Sequence, residues 1–308
     1  MNVLLVIAGV VLLYLGGEVL VRSASGLASR LGVRPLVVGL TVVAFGTSAP
    51  ELAASLTAAL SGTSEIAVAN VVGSNIANVG LILGLTALIY PLVSSRRFVR
   101  REVPLMLLVT AALAPVLWGG RVGRWEGVVL LALLAGFLWA ITRTGSGLVE
   151  EAESVTEIGR VPLWLGLVGV AAGVVLLAVG ARWLVSGAIA IATAFGVPQR
   201  VIGLTLVALG TSLPELASSM VAALRKETDI ILGNIVGSNV FNLLAVLGVT
   251  TAAHPIVFDG RAATPDVLAM AAFSLAPLPL MWRGERLGRA AGAFLLVGYA
   301  VYILALVA

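Results

Sequence analysis

Long apolar runs, cut by short polar or basic segments, set the pattern of this chain. Val103–Gly120, Val161–Ala181, Ala290–Ala308 and the longer Ile66–Ser95 carry no charged residue. Each can cross a hydrocarbon layer as a helix, which takes roughly 20 residues. Helices are implied because a backbone facing lipid must satisfy its own hydrogen bonds, and the two-residue alternation of a membrane barrel is absent. The pattern predicts ten spans, near 2–29, 34–60, 65–92, 102–119, 124–142, 161–194, 198–224, 229–252, 264–282 and 287–307. The expected fold class is an all-α polytopic membrane protein. The first span, with Ser23-Ala24-Ser25 near its end, lacks the positively charged start of a secretion signal and is read as a retained helix.

Composition agrees. Of 308 residues 60% are hydrophobic and 11% charged, with a mean hydropathy of +1.10, whereas soluble domains carry about a quarter charged residues. The sequence pI near 10.1 does not point to nucleic acid, because the basic residues are scattered between apolar spans. They report topology instead. Connections after the odd-numbered spans hold Arg30, Arg34, Arg96, Arg97, Arg100, Arg101, Arg143, Arg160, Arg225, Lys226, Arg283, Arg286 and Arg289; the opposite side holds only Arg121, Arg124, Arg200 and Arg261. The odd connections are therefore expected in the cytoplasm of a cell whose inner or plasma membrane holds the chain, with both termini extracytoplasmic. There is no cysteine, hence no disulfide and no thiolate metal site.

The chain contains an internal repeat. Shifted by 164 positions, VRPLVVGLTVVAFGTSAPELAASLTAAL (33–60) lies on VPQRVIGLTLVALGTSLPELASSMVAAL (197–224) with 18 identities in 28 positions. The register continues without a gap from 65–86 onto 229–250, with 10 more in 22. Five spans separate equivalent positions, and five is odd, so the second half is expected upside down relative to the first. Inverted repeats of this kind are a transporter architecture, with the site at the midplane between halves. The expected organisation is a first half, 1–142, a cytoplasmic linker, 143–160, and an inverted second half, 161–308. Glu150, Glu151, Glu153 and Glu157 in the linker read as a solvated charge run.

The repeated segments put polar side chains where lipid-facing helices need none. Ala44, Thr47, Ser48, Glu51 and Ser55 fall on one helical face, and Ala208, Thr211, Ser212, Glu215 and Ser219 repeat the stripe. In the third span Asn70, Ser74 and Asn78 stand four apart; in the eighth, Asn234, Ser238 and Asn242 do the same. Pro50 and Pro214 free a carbonyl four residues back, at Gly46 and Gly210, where glycine is expected to let the chain bend; the Ala44 and Ala208 carbonyls lie close by. Two carboxylates, hydroxyls, amides and main-chain carbonyls suit a hard cation, and Ca²⁺ takes six to eight such oxygens. Softer metals would call for Cys, Met or His, and the lone His254 sits at a helix end as a surface residue.

Charge sharpens this reading. An ionised glutamate near the bilayer centre costs on the order of 3 kcal/mol by insertion scales, and two facing each other also repel. One divalent cation cancels both charges, as do two or three monovalent ones, so Ca²⁺ and Na⁺ are expected to compete for one site. Glu18 and Arg22, four apart, can pair; Arg182 takes the repeat position of Glu18, and both arginines are read as long side chains reaching toward the interface. Small residues in the first and sixth spans, among them Gly16, Gly17, Gly180 and Gly187, permit close helix contact.

GTSAPE (46–51) with GSNIAN (73–78), repeated as GTSLPE (210–215) with GSNVFN (237–242), resembles the paired alpha-repeats of the sodium/calcium exchanger family, within the wider cation/calcium antiporters and closest to their compact prokaryotic members. The resemblance covers essentially the whole chain. It implies Glu51 and Glu215 as central Ca²⁺ ligands, helped by Thr47, Thr211 and flanking carbonyls. It implies Na⁺ sites completed by Ser48, Ser212, Ser74, Ser238, Ala44 and Ala208, with Asn78 and Asn242 lining the middle. It further implies that the first and sixth spans slide past the other eight to alternate access. Some relatives carry Asp where this chain has Asn78 or Asn242, notably potassium-dependent exchangers in the second repeat; with two amides, no K⁺ requirement is expected. No cofactor, nucleic acid or protein partner is implied; the partners are Ca²⁺, Na⁺ and lipid.

Two other readings differ in what they require. A Ca²⁺/H⁺ antiporter on the same fold is the alternative, although proton-coupled relatives tend to carry His or acid where this chain has Ser and Asn. An intramembrane hydrolase needs a base within reach of its nucleophile, which only Glu51 offers Ser48, and it gives no reason for a duplicated inverted motif. The chain is therefore read as a transporter and not an enzyme.

Overall fold

The computed structural model describes residues 1–145, 162–197, 208–282 and 285–307. Its helices are α1 (Asn2–Leu31), α2 (Pro35–Thr47), α3 (Ala49–Leu60), α4 (Ser64–Ile89), α5 (Phe98–Trp118), α6 (Arg124–Gly145), α7 (Leu163–Ala194), α8 (Ala208–Gly210), α9 (Leu213–Leu224), α10 (Thr228–Ala253), α11 (Gly260–Trp282) and α12 (Arg289–Val307). Among the described residues eight helices are long and apolar enough to cross a membrane, and nine if the bent pair α2–α3 counts as one span. The span expected at 198–224 begins in residues outside the description, which holds its α8 and α9 portions. The acidic run at 150–157 and Arg200 also lie outside the described residues. α6 continues to Gly145, three residues past the expected boundary of the first half.

Burial sorts the helices. The most apolar window of α10 is wholly buried and that of α4 is 72% buried, so these two form the centre. Those of α1, α6, α7 and α12 are mostly uncovered, and Leu4, Ile7, Val10, Trp125, Trp164, Phe294, Val301 and Leu304 stand exposed on them. Apolar surface of that extent is not tolerated in water; it is a lipid-facing belt around a packed middle.

α1 and α7 lie against each other along most of their length, and glycine makes this possible. A Cβ on Gly9 would sit 2.6 Å from the Leu184 backbone N, one on Gly16 2.8 Å from that of Leu177, and one on Gly180 2.8 Å from that of Leu13. Contacts run 9 with 180–184 and 16 with 173–177, so the two helices are antiparallel. α1 also packs along α9, where a Cβ on Gly17 would meet Val221 Cγ2 at 2.9 Å. The repeat-equivalent pair, α7 and α3, barely meets. Glu18 pairs with Arg22 (2.8 Å) as the four-residue spacing expects, but also accepts from Arg225 Nε at 2.7 Å. The cross-half partner of Glu18 is thus Arg225, and Arg182 is exposed.

Two short ribbons unforeseen in the sequence tie the connections together. β1 (Leu92–Val93) pairs antiparallel with β4 (Arg286–Leu287), and β2 (Arg121–Val122) with β3 (Ile256–Val257). Leu92, Leu287, Val122 and Ile256 are fully buried, so each ribbon is pinned by one apolar pair. β1 and β4 follow the third and ninth expected spans, β2 and β3 the fourth and eighth. Odd connections therefore pair with odd and even with even, as expected if they lie on opposite sides of the membrane.

Candidate functional site

Both glutamates sit in the first turn of a helix that starts just after a break. α2 ends at Thr47, Ser48 takes φ −81° and ψ 2°, and α3 leaves at 42° to α2. Ser212, at φ −87° and ψ 5°, starts α9 in the same way. Pro50 and Pro214 occupy the first turn of α3 and α9, where the missing N–H has no partner to lose. The sequence reading of these prolines as interior kinks is corrected: they start helices. Gly46 and Gly210 are not the bend either. A Cβ on Gly46 would lie 2.5 Å from Val174 Cγ2 and one on Gly210 2.9 Å from Val185 Cγ2, so both let their segments approach α7. A helix N-terminus is also where a negative side chain is best tolerated.

Glu51, Glu215, Thr47, Ser48, Ser212, Ser74, Ser238, Asn78, Asn242 and Ala44 are all buried, Thr211 is half-buried, and the Ala208 side chain lies outside the description. Hydrogen bonds cross between the halves. Ser48 Oγ donates to Glu215 Oε1 at 3.3 Å, and Ser212 Oγ donates to Glu51 Oε1 at 3.1 Å. Ser74 Oγ lies 3.2 Å from Ser212 Oγ. Thr47 Oγ1 stands 3.2 Å from Asn234 Oδ1, and Thr211 Oγ1 3.2 Å from Asn70 Oδ1, so these pairs also exchange partners across the repeat. Asn70 Nδ2 in turn donates to Glu51 O and to Ser55 Oγ, at 3.1 and 2.9 Å, and Asn234 Nδ2 donates to Ser219 Oγ at 3.1 Å. Asn70, Asn234, Ser55 and Ser219 thus brace the cluster. Their four-residue spacing signalled a polar face but not this crosslinking role.

What the protein leaves unpaired defines the chemistry. Among the described residues Glu51 Oε2, Glu215 Oε2, Asn78 Oδ1 and both amide atoms of Asn242 are buried with no hydrogen-bond partner. A buried polar atom left in that state costs about 1–3 kcal/mol. The Ala44 carbonyl accepts from Ser48 N–H at 3.0 Å and lies 3.5 Å from Thr47 Oγ1. Among the described residues no group of three His, Asp or Glu forms, so the donor set is two carboxylates completed by neutral oxygens. Such a set fits a hard cation that sheds its water for six to eight oxygens.

Comparison with known proteins extends over nearly the whole chain. The family model described as sodium/calcium exchanger protein matches residues 1–143 and 165–308. The putative antiporter CaxA of Alkalimonas amylolytica is 40% identical over 305 residues, 96% of each chain. The sodium/calcium exchanger MaX1 of Methanosarcina acetivorans is 32% identical over 347 residues, covering 99% of this chain and 98% of its own. A solved structure of the sodium-calcium exchanger NCX_Mj superposes with a TM-score of 0.86 at 32% identity over 98% of both chains. With its repeated GTS-x-PE and GSN-x-x-N segments folded into one buried cluster, the chain belongs to the sodium/calcium exchanger protein family.

Proposed function

We propose that this chain exchanges Na⁺ for Ca²⁺ across the cell membrane by alternating access, and that it is a transporter rather than an enzyme. Glu51 and Glu215 are assigned as shared Ca²⁺ ligands, with Thr47, Thr211 and the Ala44 and Ala208 carbonyls beside them. Ser48, Ser212, Ser74 and Ser238 complete Na⁺ positions, and Asn78 and Asn242 line the middle. The observation that carries this reading is the crossed pairing, Ser48 with Glu215 and Ser212 with Glu51, which leaves one oxygen of each carboxylate free in the same buried cluster. Two such acids repel, and a cation between them offsets both that repulsion and the desolvation of each.

The architecture proposed is ten spans in two inverted halves, 1–142 and 161–308, joined by a cytoplasmic segment at 143–160, with both termini outside. Antiparallel packing of the repeat-equivalent helices α1 and α7 supports inversion, and the same-parity pairing of the ribbons supports the sidedness. α1 is closed against α9 while α7 stands off α3. Because α9 ends at Arg225 and Lys226 on the proposed cytoplasmic side, this conformation is closed on that side. The α1–α7 pair sliding along the rest would exchange the two arrangements.

The test is Ca²⁺ uptake into proteoliposomes driven by a Na⁺ gradient at equal pH on both sides. The account expects uptake that follows the Na⁺ gradient and falls at least ~100-fold in Glu51→Gln and Glu215→Gln, the ~3 kcal/mol typical of breaking a buried ion pair. Uptake that ignores Na⁺ and follows an imposed pH gradient would instead establish Ca²⁺/H⁺ antiport and overturn the choice of coupling ion.

A further inference from the structure

Asn75 and Asn239 stand one residue beyond Ser74 and Ser238, turned about 100° from the polar stripe. Both are buried, and neither hydrogen-bonds a carboxylate among the described residues. Each instead turns its amide nitrogen toward a methionine of a neighbouring helix. Asn239 Nδ2 lies 3.4 Å from Met106 Sδ and Asn75 Nδ2 3.7 Å from Met270 Sδ. The two pairs are repeat mates, since 75 and 239, like 106 and 270, are 164 apart.

A thioether sulfur accepts but does not donate. It therefore holds the NH₂ end of the asparagine amide toward itself and the carbonyl end away. On Asn239 that carbonyl end meets the next member of the line: Asn78 Nδ2 donates to Asn239 Oδ1 at 3.0 Å. With its nitrogen engaged, Asn78 keeps its Oδ1 buried and without a protein partner. In the other half the line stops one step short, for Asn75 Oδ1 and both amide atoms of Asn242 are unpartnered.

We propose that Met106 and Asn239 are positioning residues that orient the Asn78 amide so that its oxygen is presented to the cation, and that Met270 and Asn75 are the same device for Asn242, disengaged in this conformation. A hydrocarbon side chain would fill the space of Met106 equally well; the sulfur adds an acceptor that favours the amide orientation seen here. The proposal deepens the cation-site reading and rests on it, but not on the identity of the coupling ion.

The test uses the purified full chain and reads the Ca²⁺ concentration that gives half-maximal thermal stabilisation. Met106→Leu keeps volume and apolarity but removes the acceptor, and is expected to raise that concentration about tenfold, the low end for partners that orient a metal ligand. Asn78→Ala is expected to raise it as well, and the double variant to be no worse than Asn78→Ala alone, since the methionine acts only through that amide. An unchanged concentration in Met106→Leu, or effects that multiply in the double variant, overturns the relay, as does a wild type that neither Ca²⁺ nor Na⁺ stabilises. If Met106→Leu does not fold, Asn239→Ala in the two Asn78 backgrounds carries the same expectation and the same contrary results. A wild type that binds Ca²⁺ without Na⁺-driven uptake refutes exchange while leaving this measurement intact.

Discussion

Between Glu51 and Glu215, the remaining polar side chains of the cluster are neutral hydroxyls and amides. On the proposed assignment, two ionised carboxylates are matched by one divalent ion or by two to three monovalent ones, and no further cation is needed to balance them. The account therefore expects Ca²⁺ flux to change less than about twofold when K⁺ is replaced by choline on both sides; a several-fold loss would show that Asn78 and Asn242 do not set the charge count. The two acids and their stripes were legible in the sequence, because residues three, four and seven apart share a helical face and because the stripe is written twice. The braces were not. Asn70 and Thr211 meet across 141 positions, and Asn239 finds Met106 across 133. Spacing within one helix says which side chains point the same way, never which foreign side chain receives them.

At the scale of elements, sequence and structure part company where backbone geometry is set by what lies opposite. GTSAPE looked like a kinked helix with glycine as the hinge. In the fold the break falls at Ser48, the proline starts the next helix, and the glycine admits Val174. The ribbons β1–β4 and β2–β3 are two residues per strand, too short for any alternation to register. Wider π-type turns begin at the third member of each polar stripe, Asn78–Leu83 in α4 and Asn242–Val246 in α10. Such π-segments recur at functional sites because they re-aim the face that follows. The small residues of the first and sixth spans were rightly read as allowing close contact. The three atoms nearest a Cβ on Gly16 all belong to α7, so Gly16→Val is expected to lower thermal stability by about 1–3 kcal/mol through overpacking. It should also slow exchange while leaving the Ca²⁺ half-saturation within about twofold. Unimpaired exchange in that variant would show that α1 and α7 need not move as a close pair.

For the whole molecule, the repeat means that each half is incomplete alone. Every crossed bond in the cluster takes its donor from one half and its acceptor from the other. The two carboxylates are thus expected to act as one ligand pair. Their shared occupancy by a single divalent ion, displaced by Na⁺, is the central claim, since competition for one place is what makes exchange obligatory. Calorimetric titration of Ca²⁺ into the purified chain tests it most directly. The account predicts one Ca²⁺ per chain, an apparent affinity that falls as Na⁺ rises, and loss of binding in Glu51→Gln and in Glu215→Gln alike. Two Ca²⁺ per chain, or full-affinity binding that survives either single substitution, would contradict it.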